Sequence, residues 1–167
     1  SFGIGSGPNI ITELFRQQTG IDVLHVPYKG GSQVTAALMG GEVPFMFDSL
    51  PSPLGQIRGG RLRALATTGA RRAPSIPEVP TLIESGINIE AMIWLGLGGP
   101  PKLAPEVLNR LFEAMRQVSV DPDLQKRMND MGAEATSSKS PQEFRAFMLA
   151  ERERWGKVIR DAKISAQ

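Results

Sequence analysis

Along the first half of the chain, apolar runs of strand length alternate with apolar positions at helical spacing. Ile10, Ile11, Leu14 and Phe15 recur at a helical period between Pro8, suited to a first helical turn, and Gly20, a natural stop. Residues 22–28, Asp-Val-Leu-His-Val-Pro-Tyr, are β-branched and apolar and lead into Lys-Gly-Gly, the profile of a buried strand feeding a turn. Ser32 is then expected to cap a helix running through Met39, which Gly40-Gly41 ends. Residues 43–47 read as a strand, 49–58 as a helix, Gly59-Gly60 as a stop and 62–68 as a further strand. Strands alternating with helices predict a parallel sheet with right-handed crossovers.

The second half is patterned differently. Residues 70–80 carry Pro74, Pro77 and Pro80 and cannot form a regular helix or a central strand, so they read as a surface connection. A short helix is expected at 81–85, then an apolar strand at 89–97, Ile-Glu-Ala-Met-Ile-Trp-Leu-Gly-Leu, long enough to cross from one lobe to another. Helices follow at 105–118, with Val107, Leu108, Leu111, Phe112 and Met115 on one face, and at 122–131 behind an Asp121 cap. A last helix starts at the capping-box spacing Ser140-Pro-Gln-Glu143 and runs to about Asp161. These C-terminal helices need a sheet face, and one nearby strand does not supply it. The expectation is that partner strands are absent, and that the loop at 1–7 follows a strand this sequence does not contain.

Composition narrows the class of function. The chain has 167 residues with 41% hydrophobic content, enough for one ordinary core or two small lobes. Nineteen Lys+Arg against 17 Asp+Glu leave a net charge of +2, too weak a bias for nucleic-acid binding, and no aromatic platform alternates with Arg58, Arg61, Arg63, Arg71 and Arg72. With no cysteine and a single histidine, neither a disulfide framework, a thiolate nucleophile nor a sulfur or multi-histidine metal site is expected. No run reaches the ~20 apolar residues that span a bilayer, and no signal peptide is present in the sequence. The methionines are scattered and read as core filler.

Three segments concentrate the chemistry: Ser1-Phe-Gly-Ile-Gly-Ser-Gly-Pro-Asn9, Val26-Pro-Tyr-Lys-Gly-Gly31 and Phe45-Met-Phe-Asp-Ser49. Each puts Gly, Ser or an acid where a strand gives way to a helix, the edge at which open α/β folds bind ligands through free N–H groups. The glycines at 3, 5 and 7 do not fit a dinucleotide fingerprint, because the spacing is wrong and no suitable acid ends a following strand. A hydrolase built on Ser6 and His25 is the enzymatic alternative, though Gly5-Ser6-Gly7 lacks the full nucleophile-elbow frame and His25 also suits a packed strand position. Asp48 can equally be a helix cap, and Tyr28 a packing residue.

Together with Gly60-Arg-Leu-Arg-Ala-Leu-Ala66, Pro77-Glu-Val-Pro-Thr81, Trp94-x-Gly96 and Phe144…Glu151…Trp155-Gly-Lys-Val158, these segments resemble the Bug family. Bug proteins are the periplasmic solute-binding proteins of tripartite tricarboxylate transporters, the TctC-like receptors. The resemblance spans essentially the whole chain in the family's order. It implies an α/β, type II periplasmic binding protein-like fold, three-layer αβα, represented by lobe two plus the C-terminal return of lobe one. Residues 1–90 would form the ligand-binding lobe with its first strand truncated, and 91–167 the crossing strand and helices of lobe one. The function implied is capture of a small organic acid, a di- or tricarboxylate, amino acid or aromatic acid, without catalysis or cofactor, for the membrane components of a transporter or for a sensor.

The resemblance also implies the site. Ser1, Gly3, Gly5 and Ser6 match the family's Gly/Ser loop, which faces a ligand carboxylate at a helix N-terminus, and Asn9 stands where the family often has His. Tyr28 and Gly30 match the second loop, Asp48 and Ser49 the third, and Trp94 is expected as an apolar wall near the hinge. With half the cleft absent, the chain is expected to bind ligand poorly alone, and self-association or a swapped dimer through the incomplete lobe is the alternative reading.

Overall fold

The computed structural model describes residues 1–164, so the last three residues of the expected C-terminal return lie outside it. Six helices are present among the described residues: α1 Gly7–Thr19, α2 Gly31–Met39, α3 Leu54–Arg58, α4 Pro105–Ser119, α5 Pro122–Asp130 and α6 Pro141–Asp161. The end signals read from sequence act as expected in several places. Gly20 closes α1 in the left-handed conformation at φ 72°, its N–H returning to the Arg16 carbonyl. The Asp121 carboxylate accepts from the Leu124 N–H at 2.9 Å, and the Ser140 hydroxyl from the Glu143 N–H at 3.1 Å. The Glu143 carboxylate closes the box on the Lys139 N–H, one residue earlier than the usual pairing.

Other boundaries move for identifiable reasons. The helix expected over 49–58 is delayed to Leu54, because Pro51 and Pro53 keep 50–53 in turns. Ser32 does not cap α2, which starts one residue earlier at Gly31; the Gln33 side chain instead accepts from the Lys29 N–H. The stretch 81–85 makes a closed turn rather than a helix. Glu84 accepts from the Thr81 N–H at 2.7 Å while its own N–H donates to the Thr81 hydroxyl, and the chain turns out at Gly86.

The parallel sheet predicted from 22–28, 43–47, 62–68 and 89–97 is not formed among the described residues. These runs carry no ladder, and the one parallel contact is an isolated bridge between Thr67 and Thr81. The reason lies in what each run meets. Residues 67 and 68 bond to the 80–82 turn and to Ala91, and Tyr28 bonds to Ser1; a few rungs from loops and a chain end do not extend into strands. A ladder needs a continuous neighbour about 4.8 Å away.

Two small cores hold the chain. Ile11, Leu82, Ile89 and Ala91 form one, with Leu14, Phe15, Phe47, Ala66 and Trp155 packed on it; Leu54, Ile76 and Val79 form the other, with Leu50 and Ile57. The apolar face predicted for α4 exists as a pattern but lies open, with Val107, Leu108, Leu111 and Met115 all exposed. Helix α5 ends against the second core at Gly132, whose φ is +82° and where an added Cβ would lie 2.9 Å from Leu50 Cγ. Gly132→Ala is therefore expected to cost about 1–3 kcal/mol, through the left-handed backbone and the crowding of Leu50. An unchanged urea midpoint would count against this packing.

Candidate functional site

The loop before α1 is built by its own polar groups. The Ser6 hydroxyl donates to the Gly3 carbonyl at 2.7 Å, and the Ser6 N–H donates to the same oxygen at 3.3 Å. The Gly3 N–H donates to the Ser1 hydroxyl at 3.1 Å, and the Gly5 N–H to Asn9 Oδ1 at 2.9 Å. Gly3 and Gly5 sit at φ +125° and +78°, a backbone that only glycine adopts without strain. Ser6 is extended and occupies the N-cap position without a side-chain cap bond.

The second predicted loop joins the first. The Tyr28 N–H donates to the Ser1 carbonyl at 2.9 Å and the Ser1 amino group to the Val26 carbonyl at 3.0 Å. The Phe2 ring lies beside Gly31, 3.5 Å from where its Cβ would be, so the first loop also rests against the start of α2. Gly30, one residue before, is the N-cap of α2.

The third loop is held differently. Phe47 and Phe45 make edge contacts with Phe15 of α1, at 5.5 and 6.4 Å between ring centres, and so tie the segment before Asp48 to the same helix. Asp48 is half-buried; one carboxylate oxygen accepts from the Ser49 N–H at 2.7 Å and the other is buried with no partner. Among the described residues no hydrogen bond joins Asp48 or Ser49 to the 1–7 loop. Burial pushes the Asp48 carboxyl up from its ordinary value, against the hydrogen bonds from Ser49 and Ser52.

Several expected roles change. Asn9 is buried and props the loop through Gly5, so its side chain does not face outward. The amides of Gly3 and Gly5 are likewise used inside the loop, and the N–H groups free for an anion are those of Gly7 and Asn9 at the helix start, Pro8 between them having none. Ser6 and His25 do not form a pair. The His25 ring meets the Ser1 hydroxyl at 2.5 Å, a contact between residues 24 apart that no local spacing signals. Burial, then the Ser1 ammonium, holds the imidazole below its ordinary value, with Glu13 opposing. Trp94 packs edge-on against Phe144 and Phe147 at 5.6 and 5.2 Å and donates to Glu151, which fastens it to α6 rather than to the loops. The side chain of the preceding residue, Ile93, lies 3.6 Å from where a Cβ at Gly7 would be. An open groove of about 550 Å³ lies at the other end of α1, lined by Leu14, Gln17, Ile89, Arg154 and Lys157.

The family described as tripartite tricarboxylate transporter family receptor, TctC, matches residues 1–164. The chain belongs to the TctC family. A UPF0065 protein of Pseudomonas knackmussii, from the clcB-clcD intergenic region, is 35% identical over 159 residues, 94% of each chain. Other curated TctC relatives are longer, and this chain spans about half their length.

Solved structures agree on the fold. An R. palustris protein solved with adipate is 31% identical with TM-score 0.86, over 96% of this chain and 54% of that one. The periplasmic binding protein BugD is 28% identical with TM-score 0.82, over 98% and 55%. MatC from Rhodopseudomonas palustris, with bound malate, is 25% identical with TM-score 0.79, over 93% and 54%. The TctC neighbours are solute-binding proteins, not enzymes, and this chain has the fold of about half of one.

The half-buried Asp48 gives the third loop a pH signature. Its carboxyl is raised in the folded state, so the fold favours the protonated form, and this contribution is lost as pH rises above the ordinary value of 3.8. Asp48→Asn removes that loss. The variant is expected to gain stability relative to the parent between pH 3.5 and 7, read by urea unfolding at both; a difference independent of pH would contradict a raised Asp48.

Proposed function

We propose that this chain is the ligand-contacting portion of a periplasmic solute-binding protein that captures a small organic acid, with a dicarboxylate as the best-supported class. The reading is carried by the start of α1. There an ordered Gly/Ser loop presents two helix N-terminal N–H groups without intramolecular acceptors, beside the Tyr28–Gly30 loop. Such N–H groups and the helix dipole favour an anion by ~0.3–1 kcal/mol each, more when shielded from water. Neighbours of the same fold carry adipate and malate, which supports a carboxylate over an amine or a sugar.

In this reading the ligand carboxylate lies on the N–H groups of Gly7 and Asn9, within the loop framed by Ser1, Gly3, Gly5 and Ser6, whose hydroxyl stays on the Gly3 carbonyl. Tyr28 and Gly30 flank it, and Asp48 and Ser49 meet the far end of the ligand. Residues 1–90 form the ligand lobe of a three-layer αβα, type II binding-protein architecture, and 91–167 its return into the other lobe. The protein hands its ligand to the membrane components of a tripartite tricarboxylate-type transporter.

The test is an NMR titration of the chain with adipate and malate against equal chloride. Expected are shifts at the amides of Ser6, Gly7, Asn9 and Gly30, with Gly5→Val removing them. That substitution meets open space but strains a φ of +78°, so it deforms the loop without a clash. Shifts confined to the cationic side of α6 around Arg154, Lys157 and Arg160 would overturn the site.

A further inference from the structure

Two segments outside the ligand loops, Trp94-x-Gly96 and Phe144…Glu151…Trp155, meet around one carboxylate. Glu151 Oε2 accepts from the Trp155 indole N–H at 2.9 Å and from the Trp94 indole N–H at 3.3 Å. Its other oxygen faces the Arg154 guanidinium at 3.6 Å, and Arg154 lies over the Trp155 ring and donates to the Glu90 carbonyl. A carboxylate oxygen offers two lone-pair sites, and here both are taken by indoles. The Glu151 side chain is only 15% exposed, so these charge-assisted bonds are shielded from water. Trp155 also packs on the core that holds α1. Glu151 therefore joins the run after Ala91 to the helix beneath the first loop.

That run is pinned on both sides of Ile93. Before it, Ile89 and Ala91 lie in the core and the Ala91 N–H donates to the Thr68 carbonyl at 2.8 Å. After it, Trp94 sits edge-on against Phe144 and Phe147, and Gly96 lies so close under Phe144 that a Cβ there would run into the ring. Successive side chains of an extended run leave on opposite sides, and Trp94 goes to α6. Ile93 goes to the start of α1, where its Cδ1 and Cγ1 lie 3.6 and 3.7 Å from the place a Cβ at Gly7 would take. This is ordinary van der Waals distance from the turn that offers the Gly7 and Asn9 N–H groups.

We propose that Ile93 is an apolar wall of the carboxylate site and that Glu151, through Trp94, is the residue that positions it there. The inference rests on the carboxylate reading of that helix start. A carboxylate on the Gly7 and Asn9 N–H groups brings its neighbouring carbon against Ile93, and a branched hydrocarbon gives a hydroxyl on that carbon no partner. The class selected is dicarboxylates with a methylene beside the bound carboxylate, over those with a hydroxyl there. Covering a hydroxyl without a hydrogen-bond partner disfavours it by at least about fivefold.

The test is an NMR titration of the whole chain with succinate and with tartrate, dianions of equal length that differ by two hydroxyls. In the parent, the Gly7 and Asn9 amides are expected to report succinate binding at least fivefold tighter, and Ile93→Ser to bring the ratio within twofold. Without ligand, an NOE is expected between the Ile93 δ-methyl and the Gly7 α-protons. Glu151→Ala removes both the NOE and the preference, whereas Glu151→Gln, which keeps one oxygen for both indoles, retains them. Trp94→Phe keeps the ring contacts with α6, loses the donor, and is expected to weaken the NOE in a chain that stays folded. A preference that survives Ile93→Ser would overturn the wall. An NOE unchanged in both Glu151→Ala and Trp94→Phe, or lost in Glu151→Gln, would overturn the positioning role. Shifts at neither amide with either acid would instead sink the carboxylate reading itself, and the wall with it.

Discussion

Helix α1 is the element on which the rest of the structure depends. Its middle, Ile11, Leu14 and Phe15, is packed into the core of Leu82, Ile89 and Ala91, and Trp155 brings α6 onto the same cluster. Its N-terminus is the floor of the Gly/Ser loop, and Phe15 holds the aromatic pair that precedes Asp48. Burying side chains of this size contributes about 1.5–3 kcal/mol each, against a net stability for any domain of only 5–15 kcal/mol. The three candidate ligand loops are thus positioned by one helix, although direct hydrogen bonds link only the first two.

Around that helix the chain satisfies its backbone unevenly. The helices and tight turns close their own hydrogen bonds, while the extended runs 22–28 and 43–47 and the segment beyond Ala91 leave most N–H and C=O groups without protein partners. Those groups are tolerated because they stay near solvent, as the exposure of Leu24 and Leu95 indicates. The same openness explains why α4 keeps its apolar face uncovered. Helix faces of this kind are made to lie on a sheet, and among the described residues no sheet is present to receive it.

The polar groups of the first loop show how local chemistry and tertiary placement combine. Glycine at 3 and 5 was readable as a loop, because positive φ is inexpensive only there. That the amides of both would be used internally, by Ser1 and Asn9, was not readable, and neither was the contact between Ser1 and His25. Such bonds depend on where the run 22–28 lies relative to α1. The resemblance to solute-binding proteins came through because it rests on turn residues in order, which survive whether or not the strands between them pair.

What the sequence determined by itself were the features encoded over one or two helical turns. These are five of the six helices to within two residues, the Gly20 and Asp121 ends, the proline-bound stretch after residue 70 and the family. Each follows from steric limits on φ, from capping or from apolar period, all local. Tertiary structure decided which extended runs become strands, which faces are covered, and which loop groups remain free to meet a ligand. A strand has no hydrogen bonds of its own and exists only through its neighbour, so an apolar run records the capacity to pair and not the partner.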